Sequence, residues 1–338
     1  MIGVAGKIAA SAIMIAMLVW GSAALWYKLS DSRAWTRAGV AAWLAFGFGA
    51  LVALWSGAEA SASIAFALAS LALLVWWWRL RPSNTRIWND DVARMTTGTL
   101  VANLLTIENV RNFDWHSRSE YVQRWETRSY DLDRLCSLDM VLSYWAGPAI
   151  AHTLVSFGFE SAAGAGIEYL VFTVEIRRRR GQLFSEIGGF FKMYELSIVA
   201  ATERDAIRVR TNVRGEDDLM FRVRMAPAQR RSLLLAYVDA ANRLVDTPRF
   251  YNTITANCTT IIYQMVTRII GRLPLSHRLL LSGYLPEYVH AIGGLDARHT
   301  VAELRRLGRI TERARQADAS EDFSAAIRAG VPPLDAND

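Results

Sequence analysis

Cysteine, lysine and histidine are all scarce in this chain of 338 residues. Two cysteines, Cys136 and Cys258, are too few for a disulfide framework or a thiolate metal site. Among 38 basic residues only Lys7, Lys28 and Lys192 are lysine, so arginine carries the net charge of +6. No aromatic-interleaved basic motif accompanies that charge, which argues against nucleic acid as a partner. CxxC, HExxH, P-loop and dinucleotide fingerprints are also missing, so neither metal nor cofactor is expected. There is no internal repeat.

Apolar sequence is present in excess, at 52% hydrophobic residues and a mean hydropathy of +0.14. The excess is local. Charged residues at Lys7, Lys28, Arg37, Glu59 and Arg79 bracket three uncharged runs. A bilayer core takes about 20 apolar residues as helix, so three spans are expected near 8–27, 38–56 and 60–78. Trp20, Trp26, Tyr27 and Trp76–Trp78 lie towards span ends, where amphipathic rings favour the headgroup level. The first run also has the weak cleavage pattern Gly21-Ser22-Ala23, but it is longer than a signal-peptide core and reads as a retained helix. Lys28, Arg33 and Arg37 after the first span, and Arg79, Arg81 and Arg86 after the third, favour a cytoplasmic C-terminal part by the positive-inside count. Lys7 and the terminal amine argue the other way.

From Pro82 the composition becomes that of a globular domain. The layout expected is a membrane anchor over 1–80, a linker over 81–95, a domain over 96–325 and a loose tail over 326–338. Strand-like runs occur at TLVANLLTI, YVQRWETRSYDL, SLDMVLSYW, AIAHTLVSFGF and IEYLVFTVEIR. The GAGIE turn before Tyr169 would let the last two form a hairpin. Helices follow over 227–244, from Cys258, around 286–292 and over 301–307. Strands followed by helices make an α+β domain. The run Arg177–Arg180 closes a strand, either touching lipid headgroups or phosphate, or simply solvated.

The most informative stretch is Tyr251–Gly271. Ile261, Ile262, Met265, Val266, Ile269 and Ile270 mark one apolar helix face, with Asn257 or Thr255 as the N-cap. Cys258 then falls in the first turn, where unpaired N–H groups and the helix dipole favour a thiolate. The plainer alternative is a small core hydrophobe. Of five histidines, His152 alone lies within an apolar strand, sharing a face with Ile150, Leu154 and Ser156. Such a histidine is often a packed core residue, but a rigid strand is also what a thiol base needs. On the next strand Thr173, Glu175 and Arg177 share a face. There Glu175 can accept from the second imidazole nitrogen or pair with an arginine. Asn257, Tyr251 and Thr259 flank the thiol and are candidates for substrate or oxyanion support.

SYWAGPAIAHTLVSFGF, VEIRRRRGQLFSEIGGFF, ERDAIRVRTNVRGED, RFYNTITANCTT and LLLSGYLPEYV occur in that order. Together they resemble the family named for the N-terminal periplasmic domain of the lipoprotein N-acyltransferase Lnb, from about Arg81 to about Asp322. The histidine strand followed by an Asn-Cys helix is also similar to permuted NlpC-like enzymes, including the lecithin:retinol acyltransferase group. That resemblance implies a papain-like domain, with an antiparallel sheet and packed helices, following the transmembrane helices. It also implies a Cys–His–polar triad in the chain order His152, Glu175, Cys258. It places the domain in the periplasm of a bacterial inner-membrane protein, against the arginine count. The family's transferase members carry further membrane helices after this domain, whereas the spans here precede it. The expected activity is a thiol acyltransferase, taking an acyl group from phospholipid to an amine such as a lipoprotein N-terminus. The alternatives are a cysteine peptidase or amidase of cell-wall peptide and a non-catalytic, membrane-anchored binding domain.

Overall fold

A computed structural model of the protein describes residues 3–29, 32–161, 164 and 166–334. The chain divides into two compact units, 1–83 with 184–194, and 84–183 with 195–338. The first is built on α1 (Val4–Lys28), α2 (Arg33–Trp55) and α3 (Glu59–Arg79), each long and apolar enough to cross a membrane. The three expected spans fall on these helices. Small residues let them approach. A side chain at Gly47 would collide with Leu18, and one at Gly21 with Trp43 and Leu73. Trp43 and Phe66 stack between the helices at 5.6 Å, and the Trp43 indole donates to the Leu18 carbonyl at 3.3 Å. At the other extreme of α1, Lys7 pairs with Glu59 at 2.7 Å.

The second unit is organised on one large sheet. Its strands are β1 (Thr97–Val101), β2 (Leu104–Arg111), β5 (Trp125–Asp131), β6 (Leu135–Tyr144), β7 (Ala151–Glu160), β8 (Ile167–Arg177), β9 (Glu195–Ala201) and β10 (Asp217–Arg222). The short β3 (Asp114–Trp115) and β4 (Tyr121–Val122) pair separately. The order is β1-β2-β9-β8-β7-β6-β10, with β5 also paired to β2. Pairing is antiparallel except where β2 meets β9 in parallel, through Arg111 and Ala201. Alternation along β7 assigns its faces. Val155, Phe157 and Phe159 pack under α5 (Pro227–Asp246) and α6 (Cys258–Ile270). Leu154 points to the opposite layer, with Ile207, Ile310 and Ile327. That layer includes α4 (Glu203–Ala206), α9 (Thr311–Gln316) and α10 (Phe323–Arg328). Between them in the chain, α7 (Leu285–Ala291) and α8 (Val301–Leu307) cover Met140, Leu142 and Phe221.

Three of the five expected runs are single strands (β6, β7 and β8). TLVANLLTI is instead a hairpin of β1 and β2 turning at Ala102-Asn103, and YVQRWETRSYDL divides into β4 and β5. β7 and β8 are antiparallel neighbours flanking Gly164 and Gly166, both at positive φ. Residues 162, 163 and 165 of that turn lie outside the described residues. Strands β9 and β10 were not foreseen in a half read as helical. All seven residues of β9 are buried, so neither face shows the polar alternation that betrays a strand.

Two boundaries shift. The linker expected over 81–95 is packed from Asn84 onwards. Asn84 donates to the Leu244 and Val245 carbonyls at 2.9 and 2.8 Å, and Trp88 is buried beneath the Arg177 guanidinium at 4.5 Å. Arg177 donates to the carbonyls of Val92 and Ala93 and to Asn84, so it neither meets lipid nor lies in solvent. The expected loose tail is likewise packed at its start. Ile327 is wholly buried, and Arg328 binds both Asp139 (2.8 Å) and Glu203 (2.7 Å). Residues 335–338 lie outside the described residues.

Asp139 is fully buried and Glu203 nearly so; removing Arg328 leaves Asp139 with Arg222 but takes the guanidinium from Glu203. Breaking a buried pair from one side costs about 3–5 kcal/mol. Arg328→Ala is therefore expected to lower Tm by on the order of 10 °C. Arg180→Ala, which removes an exposed partner of Asp90, should leave Tm nearly unchanged. Calorimetry of the full chain in detergent distinguishes the two.

Candidate active site

Helix α6 begins with a capping box. The Asn257 side chain accepts from the N–H groups of Thr259 (2.9 Å) and Thr260 (2.8 Å), and the Thr260 hydroxyl accepts from the Asn257 N–H at 3.0 Å. The preceding turn is closed by reciprocal Asn252–Ala256 backbone bonds of 3.1 and 3.0 Å. Thr255 donates its N–H within this turn and is not the cap. The result fixes Cys258 at the first helical position. There its own N–H has no intrahelical acceptor.

His152 stands near the start of β7, opposite Ser143 on β6. That end of the strand is clamped from the segment before α7. The Ser282 hydroxyl accepts from the Ala151 N–H at 2.9 Å and donates to the Ala151 carbonyl at 2.6 Å. Gly283 donates to Ala149 at 2.9 Å, and a Cβ at Gly283 would collide with the Pro148 carbonyl. The SGY sequence thus holds the backbone on which His152 sits.

The imidazole Nε2 lies 2.6 Å from the Thr173 hydroxyl and 3.2 Å from Glu175 Oε1. Thr173 donates to the same carboxylate oxygen at 3.0 Å, so it can accept from Nε2. This leaves Nδ1 for the thiol. Arg210, from the π-helical turn Val209–Arg214, donates to Glu175 Oε1 at 3.1 Å and to Glu216 at 3.1 Å. His152 and Glu175 are only 12% and 19% exposed at their side chains.

These neighbours set the protonation states. Burial pushes the Cys258 thiol up, but hydrogen bonding and charge from His152 outweigh it. The Thr153 N–H and Thr259 hydroxyl add to the effect, and the thiol falls below its ordinary value. Burial and Arg210 push His152 down. The Glu175 carboxylate, with hydrogen bonds to Cys258 and Glu175, reverses this and lifts the imidazole to about 9. Burial would raise Glu175, yet His152, Arg210 and Arg111 hold it well below the usual carboxylate range. The arrangement favours a thiolate–imidazolium pair over two neutral groups.

His152, Glu175 and Cys258, chosen from three distant segments, are therefore brought together. The other three candidates divide. Asn257 has both ends of its amide engaged, by the helix cap and by donation to the Thr253 carbonyl at 2.7 Å, so it positions the helix and does not face a substrate. Thr259 also gives its N–H to the cap, while its hydroxyl lies 4.0 Å from Cys258 Sγ. Tyr251 is half-buried, and its phenol is pushed up by burial and then by the charges of Cys258 and Glu175, so it stays a neutral donor near the thiol.

Sequence reasoning gave no role to Thr173, Arg210, Ser282 or Tyr237. Thr173 was legible as the residue two before Glu175 on one strand face. Nothing local marks the others. Tyr237, on α5, is wholly buried, its phenol has no hydrogen-bond partner among the described residues, and Cys258 contributes to raising it. Cys136 donates to the Gly158 carbonyl at 3.3 Å on the sheet and takes no part. Among the described residues no cluster of three or more His, Cys, Asp or Glu side chains is placed to hold a metal.

A cavity of about 180 Å³ is lined by Thr153 and Thr259, the chain neighbours of His152 and Cys258. Most of its remaining wall is apolar, including Val155, Ile262, Val266 and Leu285. An apolar void of about 150 Å³ already accepts benzene. This one has room for hydrocarbon.

An α+β domain with a helix-borne thiol facing a strand-borne imidazole is thus carried behind three membrane-spanning helices. Residues 121–283, which include all of His152, Glu175 and Cys258, match the family model described as the Lnb N-terminal periplasmic domain. The match is shorter than the resemblance running from about Arg81 to about Asp322. No curated protein and no solved structure matches the chain. The protein is therefore membrane-anchored with a periplasmic C-terminal region, and the family overrides the arginine count on orientation.

The lowered thiol means that thiolate is lost only as pH falls through that lowered value, and the imidazolium only as pH rises through about 9. In a Cys136→Ser background, iodoacetamide should alkylate Cys258 well below the pH at which a free thiol, near 8.5, turns off. His152→Ala should move that midpoint up by roughly a unit or more. An unmoved midpoint would detach His152 from the thiol.

Proposed function

We propose that the protein is a membrane-anchored cysteine acyltransferase. The observation that carries this reading is the Cys258–His152–Glu175 arrangement, with an apolar cavity lined by Thr153 and Thr259, the chain neighbours of His152 and Cys258. In the first half-reaction the Cys258 thiolate adds to the carbonyl carbon of a phospholipid ester. The oxyanion of the tetrahedral intermediate is met by the Cys258 N–H at the helix N-terminus, with Tyr251 as the second donor. Collapse breaks the ester C–O bond, the imidazolium of His152 gives its proton to the departing oxygen, and lysophospholipid leaves. Cys258 is left as an acyl-thioester. In the second half-reaction an amine, such as a lipoprotein N-terminus, adds to the thioester. His152, now neutral, takes the amine proton, and the C–S bond breaks to give amide and thiolate.

The role of Glu175 is to hold the imidazole ring and its charge. Thr173 completes the contact, and Arg210 keeps the carboxylate ionised and in place. A cysteine peptidase or amidase would use the same residues. It would have no use for a hydrocarbon-sized cavity beside the thiol.

Trapping the covalent intermediate separates the readings. Intact-mass analysis of the full chain after incubation with phospholipid should find a fatty-acyl adduct that Cys258→Ala abolishes and Cys136→Ser keeps. A peptidyl adduct from cell-wall peptide would replace this reading with the peptidase. The absence of any adduct would leave a binding domain. His152→Ala should reduce acyl transfer to near background, because an unassisted thiol is only a few per cent thiolate at neutral pH. Glu175→Gln should be milder, roughly 10–100-fold, in the manner of other carboxylates that orient a working histidine. Glu175→Gln at the wild-type rate would remove Glu175 from the mechanism.

A further inference from the structure

The segment between β8 and β9 leaves the globular unit and joins the membrane unit. Within it Ile187–Phe191 forms a 3-10 helix whose contacts are with the ends of the spanning helices. Phe191 stacks on Tyr27 at 5.6 Å and meets Trp77 edge-on at 6.2 Å. The Lys192 ammonium donates to the Trp77 carbonyl at 2.8 Å and lies 4.7 Å over its ring, and the Ser185 hydroxyl bonds the Tyr27 phenol at 3.3 Å. Tyr27 and Trp77 are within the last turns of α1 and α3, beside Lys28 and Arg79. Aromatic and basic residues at such a place mark the bilayer–water boundary.

At that same level the segment exposes Phe184, Ile187 and Phe190, at 52, 58 and 42%. Ile187 and Phe190 are three apart in a 3-10 helix, so they share one face, and Phe184 precedes Ile187 by the same interval. Gly188 is buried on the inner side, where a Cβ would collide with Met193. The apolar face is consequently turned outward by packing.

We infer that Phe184–Tyr194 is a second membrane element, an interfacial loop whose Phe184, Ile187 and Phe190 side chains dip into the lipid at the level of the ends of α1 and α3. The occupant of this face is bilayer, because the face is continuous with helix ends that already lie at the membrane boundary. Apolar rings and an aliphatic side chain backed by a cation fit the headgroup–acyl boundary. Water does not suit three such side chains grouped together. The inference is independent of the chemistry at Cys258.

The test uses the full chain with Cys136→Ser and Cys258→Ser, reconstituted in vesicles of phosphatidylethanolamine and phosphatidylglycerol. Phe184→Cys, Ile187→Cys or Phe190→Cys is added singly and labelled with an environment-sensitive fluorophore. Asp133→Cys on the globular unit serves as the water-exposed reference. At the three loop positions aqueous iodide should quench roughly threefold less than at 133, and nitroxides on the upper acyl chain should quench strongly. Iodide quenching equal to that at 133 at all three positions would overturn the inference. So would shielding from both iodide and lipid nitroxide, since that would put protein on the face.

Discussion

The site depends on how the Glu175 carboxylate is shared. Its Oε1 receives the Thr173 hydroxyl, the Arg210 guanidinium and the His152 ring, all within 3.0–3.2 Å. A mostly buried carboxylate with fewer partners would take up a proton. With these partners it stays charged, and its charge is the largest influence lifting His152 towards about 9. The imidazolium in turn lowers the thiol. Electrostatic influence therefore runs through the site from Arg210 to Glu175 to His152 to Cys258. Arg210 acts in both directions, since its own charge opposes that of His152 while it secures the carboxylate that supports it. Glu216, bonded to the other arm of Arg210 and to Ser143, offsets part of that opposition.

Charge alone does not place the thiol, which needs a rigid backbone. The Asn257 capping box and the closed Asn252–Ala256 turn determine where α6 begins. The Ser282–Gly283 clamp determines where β7 begins. The starts of α6 and β7 are thus fixed independently, each by side chain-to-backbone bonds, and Cys258 and His152 stand near those starts. Asn257 serves this geometry with its whole amide. Its contribution is positional, since the cap takes the Thr259 and Thr260 N–H groups and leaves that of Cys258 without an intrahelical acceptor.

Much of this was legible in the sequence where the information is local. Three uncharged runs of helical span length declare themselves by composition. The Asn257 cap and the apolar repeat from Ile261 to Ile270 declare α6. The long β-branched and aromatic runs of β7 and β8 put His152 and Glu175 on strands, and the GAGIE turn makes the strands neighbours. Interactions that join distant segments left no local mark. Arg210 is one of many arginines, and only the fold reveals that it meets Glu175. Arg177 looks like part of a basic surface run, yet it is buried against Asn84 and the Val92 and Ala93 carbonyls. Arg328 sits in a stretch whose composition reads as tail, and its value lies in Asp139 and Glu203, more than a hundred residues away. β9 is buried on both faces, which erases the pattern that marks a strand.

On the acyl-transfer reading, the ionised ground state relocates the difficult step. A neutral Cys–His pair must move a proton before or during attack. Here the neighbours favour the thiolate, with the proton it would have carried on His152. Attack on the ester then needs no proton transfer, and the reserve proton is delivered where it is needed, on the departing alkoxide-like oxygen. In the second half-reaction the acyl-thioester no longer carries a negative charge, which removes one support of the raised imidazole. His152 then becomes a better acceptor for the amine proton at neutral pH. One residue can so serve as acid and then as base, with its basicity adjusted by the covalent state of Cys258. Glu175 and Arg210 hold the ring in the same orientation through both halves.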